Sequence, residues 1–175
     1  MNFIESLFTA WLVITGGSGA DTAWSITLAG PEEPGQTLVV TGTIYKSDGK
    51  TPFPGVRLYL YHTDARGYYN SGNQGTREPR IRGWLTTDEK GRYQFRTIRP
   101  GSYPGSRNPA HIHAKAYSPG GKEEWIDEFL FDDDPFVPEK ERAKENGPGD
   151  FSHIMKATPG KGGSLHCVRN IILKD

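Results

Sequence analysis

The stretch GWLTTDEKGRYQFRTI, residues 83–98, indicates the fold class of this chain. In its second half, side chains that suit a core alternate with long polar ones: Tyr93, Phe95 and Thr97 against Arg92, Gln94 and Arg96. Because successive side chains of a strand point to opposite faces, this alternation predicts a strand with one buried face and one wet face. The polar residues from Asp88 to Gly91 predict a turn that joins it to a strand before it.

Other short runs along the chain have the same character. They are rich in β-branched and aromatic residues, are separated by many of the 22 glycines and 13 prolines, and cover residues 37–45, 55–62, 110–117, 124–131 and 164–173. This pattern predicts an all-β fold, an antiparallel β-sandwich of about seven to eight strands. One helical segment is predicted, at 138–147, and its charge on nearly all sides favours a short surface helix.

Length and charge narrow the classes of function. With 175 residues the chain is long enough for one domain, which we place at 24–175. Its 21 basic and 21 acidic side chains cancel, so no charge excess favours nucleic acid or an anionic membrane as a partner. No apolar run reaches the ~20 residues that a membrane span needs.

Residues 1–23 are a separate segment in this interpretation. Leu7 to Ile14 is apolar and small residues follow it, as in a secretory signal, but Glu5 stands where a signal has Lys or Arg. The segment is therefore either a signal remnant or an N-terminal arm packed on the domain or on another subunit. An arm favours a cytoplasmic location, and a signal implies secretion.

The stretch RNPAHIHAKAY, residues 107–117, contains a candidate metal site. In an extended strand His111 and His113 point to the same face. Tyr103 lies in the stiff turn PGSYPG, and Tyr68 and Tyr69 follow the predicted strand 55–62 closely. Two phenolates and two imidazoles form a hard, anionic ligand set that suits ferric iron. The alternative is that these are surface histidines and turn tyrosines that bond nearby backbone.

Four longer pieces carry a resemblance to a known family. They are PFPGVRLYLYHTDARGYY, RGWLTTDEKGRYQFRTIRPGSYPG, NPAHIHAKAY and EFLFDDDP, in this order. From Pro54 to Phe131 the chain resembles the intradiol ring-cleavage dioxygenases, the family of protocatechuate 3,4-dioxygenase and catechol 1,2-dioxygenase. It is similar to a compact, single-domain form, since nothing helical is predicted before Trp24.

The resemblance implies a ligand set and a reaction. Tyr69, Tyr103, His111 and His113 would hold one non-haem Fe(III) per chain. The substrates would be O2 and a catechol, cut between its two hydroxyls to a cis,cis-muconate-type diacid. Tyr103 would also be catalytic, because in the family the matching tyrosinate leaves the metal and passes its basicity to the second substrate hydroxyl.

The sequence departs from the family pattern in two places, and three catalytic candidates lie there. Asn108 stands where many members have an arginine that stabilises negative charge on the substrate, and Arg107 lies one place earlier. Glu128 aligns with a common glutamine, and a buried carboxylate there disfavours anionic substrates unless it is protonated. Iron binding is expected to survive these changes, whereas the rate and the substrate are in question.

Two other functions stay open at this level. A non-catalytic binding module of the transthyretin-like or carboxypeptidase-associated type shares the architecture and part of the strand pattern, but has no reason to combine the four ligands. A metal protein with a degraded active site would keep the ligands and lack activity. Oligomeric state is undecided, and a homo-oligomer is compatible with the sequence.

Overall fold

The computed structural model describes residues 24–70, 78–143 and 149–174. Its elements in chain order are β1 Ser25–Thr27, β2 Thr37–Tyr45, β3 Arg57–His62, β4 Ile81–Thr86, β5 Arg92–Ile98, β6 Ile112–Tyr117, β7 Glu123–Trp125, β8 Leu130–Phe131, α1 Glu139–Ala143, β9 Ile154–Met155, β10 Thr158–Pro159, β11 Leu165–Val168 and β12 Ile171–Ile172. Short 3-10 turns at Gly149–Phe151 and Lys161–Gly163 complete the set. The regular secondary structure of the described residues is thus mostly strand, as the sequence predicts.

The stretch 83–98 carries the chain from one sheet to the other. The predicted turn is present, because the Gly91 N–H donates to the Asp88 carbonyl at 2.9 Å. The strands on its two sides do not share a sheet, however: β4 pairs with β3, and β5 pairs with β2. The predicted alternation of β5 is confirmed, with Tyr93, Phe95 and Thr97 all buried.

The sheet that contains β2 is mixed, which corrects the predicted antiparallel arrangement, whereas the pairs β3–β4, β3–β6 and β6–β7 of the second sheet are all antiparallel. One sheet has the order β1-β5-β2-β11-β10, with β12 also paired to β2, and the second has the order β4-β3-β6-β7. Both β11 and β12 run parallel to β2, and β1 runs parallel to β5. Parallel neighbours need a long crossover connection, and the chain between β2 and β11 passes through the second sheet before it returns.

The number of strands also differs from the predicted seven to eight. The runs 124–131 and 164–173 each divide into two short strands, and three further strands contain only two or three residues. Strands this short show no alternation that can be recognised, so the sequence pattern misses them.

Both main sheets contribute to one hydrophobic core. Leu38 and Val40 of β2 and Phe95 of β5 belong to the same buried cluster as Leu58 and Leu60 of β3. The side chains that alternate with them face outward and remain available for other roles. The outward face of β6 therefore carries His113, between the buried Ile112 and Ala114.

The predicted surface helix is confirmed over Glu139–Ala143, which buries none of its residues. The end of the predicted range, 144–147, and the whole N-terminal segment 1–23 lie outside the described residues. Within the described ranges, no helix combines the length and the apolar composition that a membrane crossing requires.

Candidate metal centre

A closed turn after β3 places Tyr69. The Asp64 carboxylate accepts the backbone N–H groups of Arg66 at 2.9 Å and Tyr68 at 3.0 Å, and the Asp64 N–H donates to the Tyr68 carbonyl at 2.8 Å. An aspartate that bonds the backbone ahead of it is a common device for closing a turn. As a result Tyr68 is 42% exposed, whereas Tyr69 turns inward.

The loop of Tyr103 is attached to this turn by two hydrogen bonds. The Thr63 hydroxyl donates to the Gly101 carbonyl at 2.8 Å, and the Gly101 N–H donates to the Asp64 carbonyl at 2.9 Å. The backbones also approach closely at Gly67, which has a φ of +87° and where a Cβ would lie 1.9 Å from the Ser102 oxygen. The two tyrosines are therefore held together by their backbones.

Strand β6 and the residue just before it supply the two histidines. His113 lies opposite Tyr61 of β3, and their rings stack with centroids 4.5 Å apart. His111 precedes the strand and is also half-buried. Their Nε2 atoms are 3.0 Å apart, as the predicted shared face requires.

Four side-chain atoms from three segments meet at one point. The hydroxyl oxygens of Tyr69 and Tyr103 are 2.5 Å apart. The Tyr69 oxygen lies 2.9 Å from Nε2 of His113, and the Tyr103 oxygen lies 3.0 Å from Nε2 of His111. Ligand atoms ~2 Å from a shared ion lie ~3 Å from one another. The structure thus brings together all four predicted ligands.

Each histidine has a partner that orients its ring. Nδ1 of His111 donates to the Pro109 carbonyl at 2.7 Å, and Nδ1 of His113 lies 3.2 Å from Oε1 of Glu128. With the proton held on Nδ1, the lone pair of Nε2 points toward the two phenols. Burial also lowers the pKa of His111, which favours the neutral form that binds metals.

The protonation of the phenols tests whether a cation fits the site. Burial, followed by the hydrogen bond to Tyr103, raises the pKa of Tyr69 well above its ordinary value. Without a cation Tyr69 therefore stays protonated beside a second phenol and two imidazoles. A trivalent ion at their meeting point would reverse this preference and stabilise phenolate. The donor set fits ferric iron.

Of the catalytic candidates Arg107, Asn108 and Glu128, only Glu128 reaches this cluster through a described contact. It faces Nδ1 of His113 and therefore orients a ligand, because the Nε2 atom is the one directed at the phenols. The hydrogen bond from His113 lowers the pKa of Glu128, so the carboxylate is ionised at neutral pH. Its side chain is 49% exposed, unlike the buried carboxylate that the sequence suggested.

Arg107 and Asn108 lie elsewhere. Both are exposed; the Arg107 guanidinium lies over the Phe136 ring at 5.9 Å, and the Asn108 N–H donates to the Ser106 hydroxyl. The structure does not bring either residue into contact with the four ligand atoms through any described hydrogen bond.

Two residues that support the metal centre have no role in the prediction from sequence. Tyr61 stacks on His113, and Asp64 closes the turn that presents Tyr69. The turn at Asp64 could be predicted, since Asp and Gly in DARGYY are typical turn residues. The stacking of Tyr61 on His113 could not be predicted from the sequence, because it depends on which strand lies beside β6.

Comparisons of sequence assign the chain to a family. A family model described as Dioxygenase matches residues 16–149, well over half of the chain. A catechol 1,2-dioxygenase of Acinetobacter baylyi is 33% identical over 105 residues, which cover 48% of this chain and 32% of that protein. A hydroxyquinol 1,2-dioxygenase of a Rhizobium species is 28% identical over 142 residues, covering 70% of this chain and 48% of that protein. The chain thus spans between a third and a half of these relatives' length.

Solved structures share the fold over most of the chain. The dioxygenase domain of a dioxygenase and carbohydrate-binding fusion protein from Streptomyces sp. SirexAA-E has a TM-score of 0.66 at 24% identity, covering 94% of this chain and 96% of that one. An intradiol ring-cleavage dioxygenase of Tetranychus urticae has a TM-score of 0.64 at 18% identity, with coverages of 91% and 90%. With the family match, the fold and the four converging ligands in place, the chain belongs to the intradiol ring-cleavage dioxygenase family.

Proposed function

We propose that this chain binds one non-haem ferric ion through Tyr69, Tyr103, His111 and His113, and cleaves catechol-type rings between their hydroxyls with O2. The product would be a cis,cis-muconate-type diacid. The convergence of two phenol oxygens and two Nε2 atoms within hydrogen-bond distance of one another is the observation that carries the proposal. The names of the relatives, which act on catechol and hydroxyquinol, support this substrate class.

Tyr103 would take up one of the substrate protons. Of the two hydroxyl protons that a catechol loses on binding, the Tyr103 oxygen, next to Nε2 of His111, can accept one as phenolate, and the other would pass to solvent. Tyr69 and His113 would remain in place, since Glu128 holds the His113 ring and Tyr61 stacks on it. Ferric iron, when bound, would supply a Lewis acid that the catecholate chelates and that prepares the ring for O2.

The extent of the catalytic unit is part of the same proposal. We infer that residues 24–175 form one domain and that its two main sheets form a sandwich, because side chains from both lie in one core. Substrate contacts of Arg107 and Asn108 stay predictions; Arg107 would have to leave the Phe136 ring to make them.

The visible spectrum of iron-loaded protein tests this function. We expect a tyrosinate-to-iron charge-transfer band that weakens in Tyr69→Phe, where Tyr103 would be the one remaining phenolate ligand, and that shifts when catechol, protocatechuate or hydroxyquinol is added without oxygen. Tyr68→Phe is the matched control, since the neighbouring phenol is 42% exposed and outside the cluster, and it should keep the band.

Each result decides between the functions considered. Oxygen uptake with a catechol, at a stoichiometry of one iron per chain, would support the dioxygenase. A colourless protein that stays colourless with added ferric iron would overturn the proposal and leave a binding module. A coloured protein that consumes no oxygen with any of the three substrates would indicate a metal protein without this activity.

A further inference from the structure

Arg169 is a buried charged residue that the metal centre does not use. It follows β11, where its N–H donates to the Thr41 carbonyl at 2.9 Å and its own carbonyl accepts the Tyr93 hydroxyl at 2.7 Å. These bonds fix its backbone, and the residue is only 5% exposed. Arginine is seldom buried to this extent unless its charge is paired.

The guanidinium of Arg169 lacks the partners that burial normally demands. Its Nε and Nη1 atoms are buried and meet no hydrogen-bond acceptor among the described residues. One face of the group lies 4.1 Å from the centroid of the Phe129 ring, which stabilises the charge but satisfies no N–H. A buried, unsatisfied polar group is costly, and a native structure that keeps one calls for an explanation such as a bound ligand.

Arg169 lines a cavity of about 220 Å³. Its walls include His153 and Asn170 as well as Trp125 and Ile126. The Asn170 Oδ1 atom accepts the Thr43 N–H at 2.9 Å, which leaves the amide NH2 group to act as a donor. None of the four proposed iron ligands lines this cavity.

We propose that this cavity is a second binding site, for a small oxyanion held by the Arg169 guanidinium. Planar guanidinium matches carboxylate and phosphate geometry, so a small organic carboxylate and inorganic phosphate share the required chemistry. The proposal does not depend on iron or on ring cleavage.

The charges around the cavity set the expected strength of binding. Burial lowers the pKa of Arg169 to about 10, so the group remains cationic at neutral pH. Asp127 also lines the cavity, and its negative charge opposes an incoming anion. Binding should therefore be weak to moderate and should strengthen when Asp127 is neutralised.

Thermal unfolding with added anions tests the site. Purified protein is titrated with sodium acetate or sodium phosphate against sodium chloride at equal ionic strength, and heats of binding are measured by calorimetry. A tenfold excess over the dissociation constant should raise the melting temperature by ~3–6 °C in wild type. A response to acetate alone would identify a carboxylate site, and a response to phosphate would identify a more general oxyanion site.

Two substitutions connect the response to this cavity. In Arg169→Met the anion response should vanish, and stability without anion should be equal or higher, because a buried guanidinium whose Nε and Nη1 atoms lack acceptors has been removed. Asp127→Asn should tighten binding several-fold. Arg96→Met removes an exposed arginine and should leave the response unchanged.

The controls separate this site from anion binding at iron. Arg169→Met keeps all four proposed iron ligands, so an oxyanion that bound at the metal would shift both proteins equally. An equal shift in both, or no oxyanion-specific shift in wild type and in Asp127→Asn, would overturn the proposal. If Arg169→Met does not fold, the Asp127→Asn titration alone decides the outcome.

Discussion

The two ring nitrogens of His113 have different partners, and this division explains why Glu128 matters. Nε2 is directed at the phenol oxygens, while Nδ1 lies 3.2 Å from the Glu128 carboxylate. A carboxylate in this position fixes the ring orientation and increases the basicity of the metal-facing nitrogen. Glu128 would therefore act on the proposed iron through His113.

Removing this carboxylate should weaken iron binding. We expect Glu128→Ala to lower the affinity for ferric iron by ~10–100-fold, measured by competition with a chelator, because partners of metal-bound histidines typically contribute this much. Glu128→Gln keeps an acceptor oxygen and should lose less. Glu123→Ala removes another partly exposed carboxylate, paired with Lys115, and should leave the affinity unchanged. Equal affinities in all these variants would contradict the role assigned to Glu128.

His62 makes folding stability depend on pH. Its ring is buried, and the Nε2 atom lies 2.7 Å from the Thr97 hydroxyl oxygen. Burial lowers the pKa of His62 to about 4 from the ordinary 6.5. Between these values the unfolded chain binds a proton that the folded chain does not, so stability falls as pH decreases from 6.5 to 4. The loss attributable to this group is ~3 kcal/mol.

Urea unfolding at pH 7 and pH 4 measures this effect. His62→Gln should have a pH profile flatter than that of wild type by about this amount. Identical profiles for wild type and His62→Gln would show that other groups account for the acid sensitivity.

At the scale of elements, two loops and one strand determine the site. The turn 64–69 and the loop 99–106 are joined by the backbone hydrogen bond from Gly101 to Asp64 and by the bond from the Thr63 hydroxyl to Gly101, and the pairing of β6 with β3 places the histidines beside them. A metal centre built in this way depends on the spacing of backbones as much as on the ligands themselves.

Gly67 is the position where this spacing is tightest. Gly67→Ala should destabilise the fold by ~2–4 kcal/mol and reduce the iron bound per chain, because its φ is +87° and the added Cβ would collide with the Ser102 carbonyl next to Tyr103. Gly105 also has a positive φ, but an added methyl carbon there would meet no atom within 4 Å, so Gly105→Ala should cost only ~1 kcal/mol and keep the iron. Urea unfolding and iron analysis compare the two, and similar losses in both variants would exclude the steric explanation.

In the whole molecule, the proposed iron would connect Tyr69 with Tyr103 and the two histidines, which lie 34 or more residues further along the chain. Tyr69, Tyr103 and the two histidines contact one another only in the folded chain. An ion that binds them stabilises the native state and has no equivalent site in the unfolded chain.

Removal of the metal should therefore lower the melting temperature. At free iron 100-fold above the dissociation constant, the stabilisation is ~2.7 kcal/mol, which corresponds to ~5–10 °C for a domain of this size. Calorimetry of iron-free and iron-loaded protein measures the difference, and Tyr69→Phe should reduce it. Equal melting temperatures with and without bound iron would argue against a site shared by these segments.

The features of this protein that depend on a local sequence pattern could be predicted from the sequence. The alternation around Tyr93 and Phe95 predicted a strand and its buried face, the spacing of His111 and His113 predicted a shared face, and the motifs from Pro54 to Phe131 indicated the family. These inferences succeed because side-chain direction in a strand repeats every two residues, and because turn residues act on their immediate neighbours.

The tertiary structure alone decided which strands lie side by side. The parallel pairing of β11 and β12 with β2, the contact of Glu128 with Nδ1 of His113 and the unsatisfied guanidinium of Arg169 all depend on residues far apart in the chain. No local pattern encodes these contacts, since they result from packing two sheets on one core. Burial and hydrogen bonding then determine which polar side chains find partners and which do not.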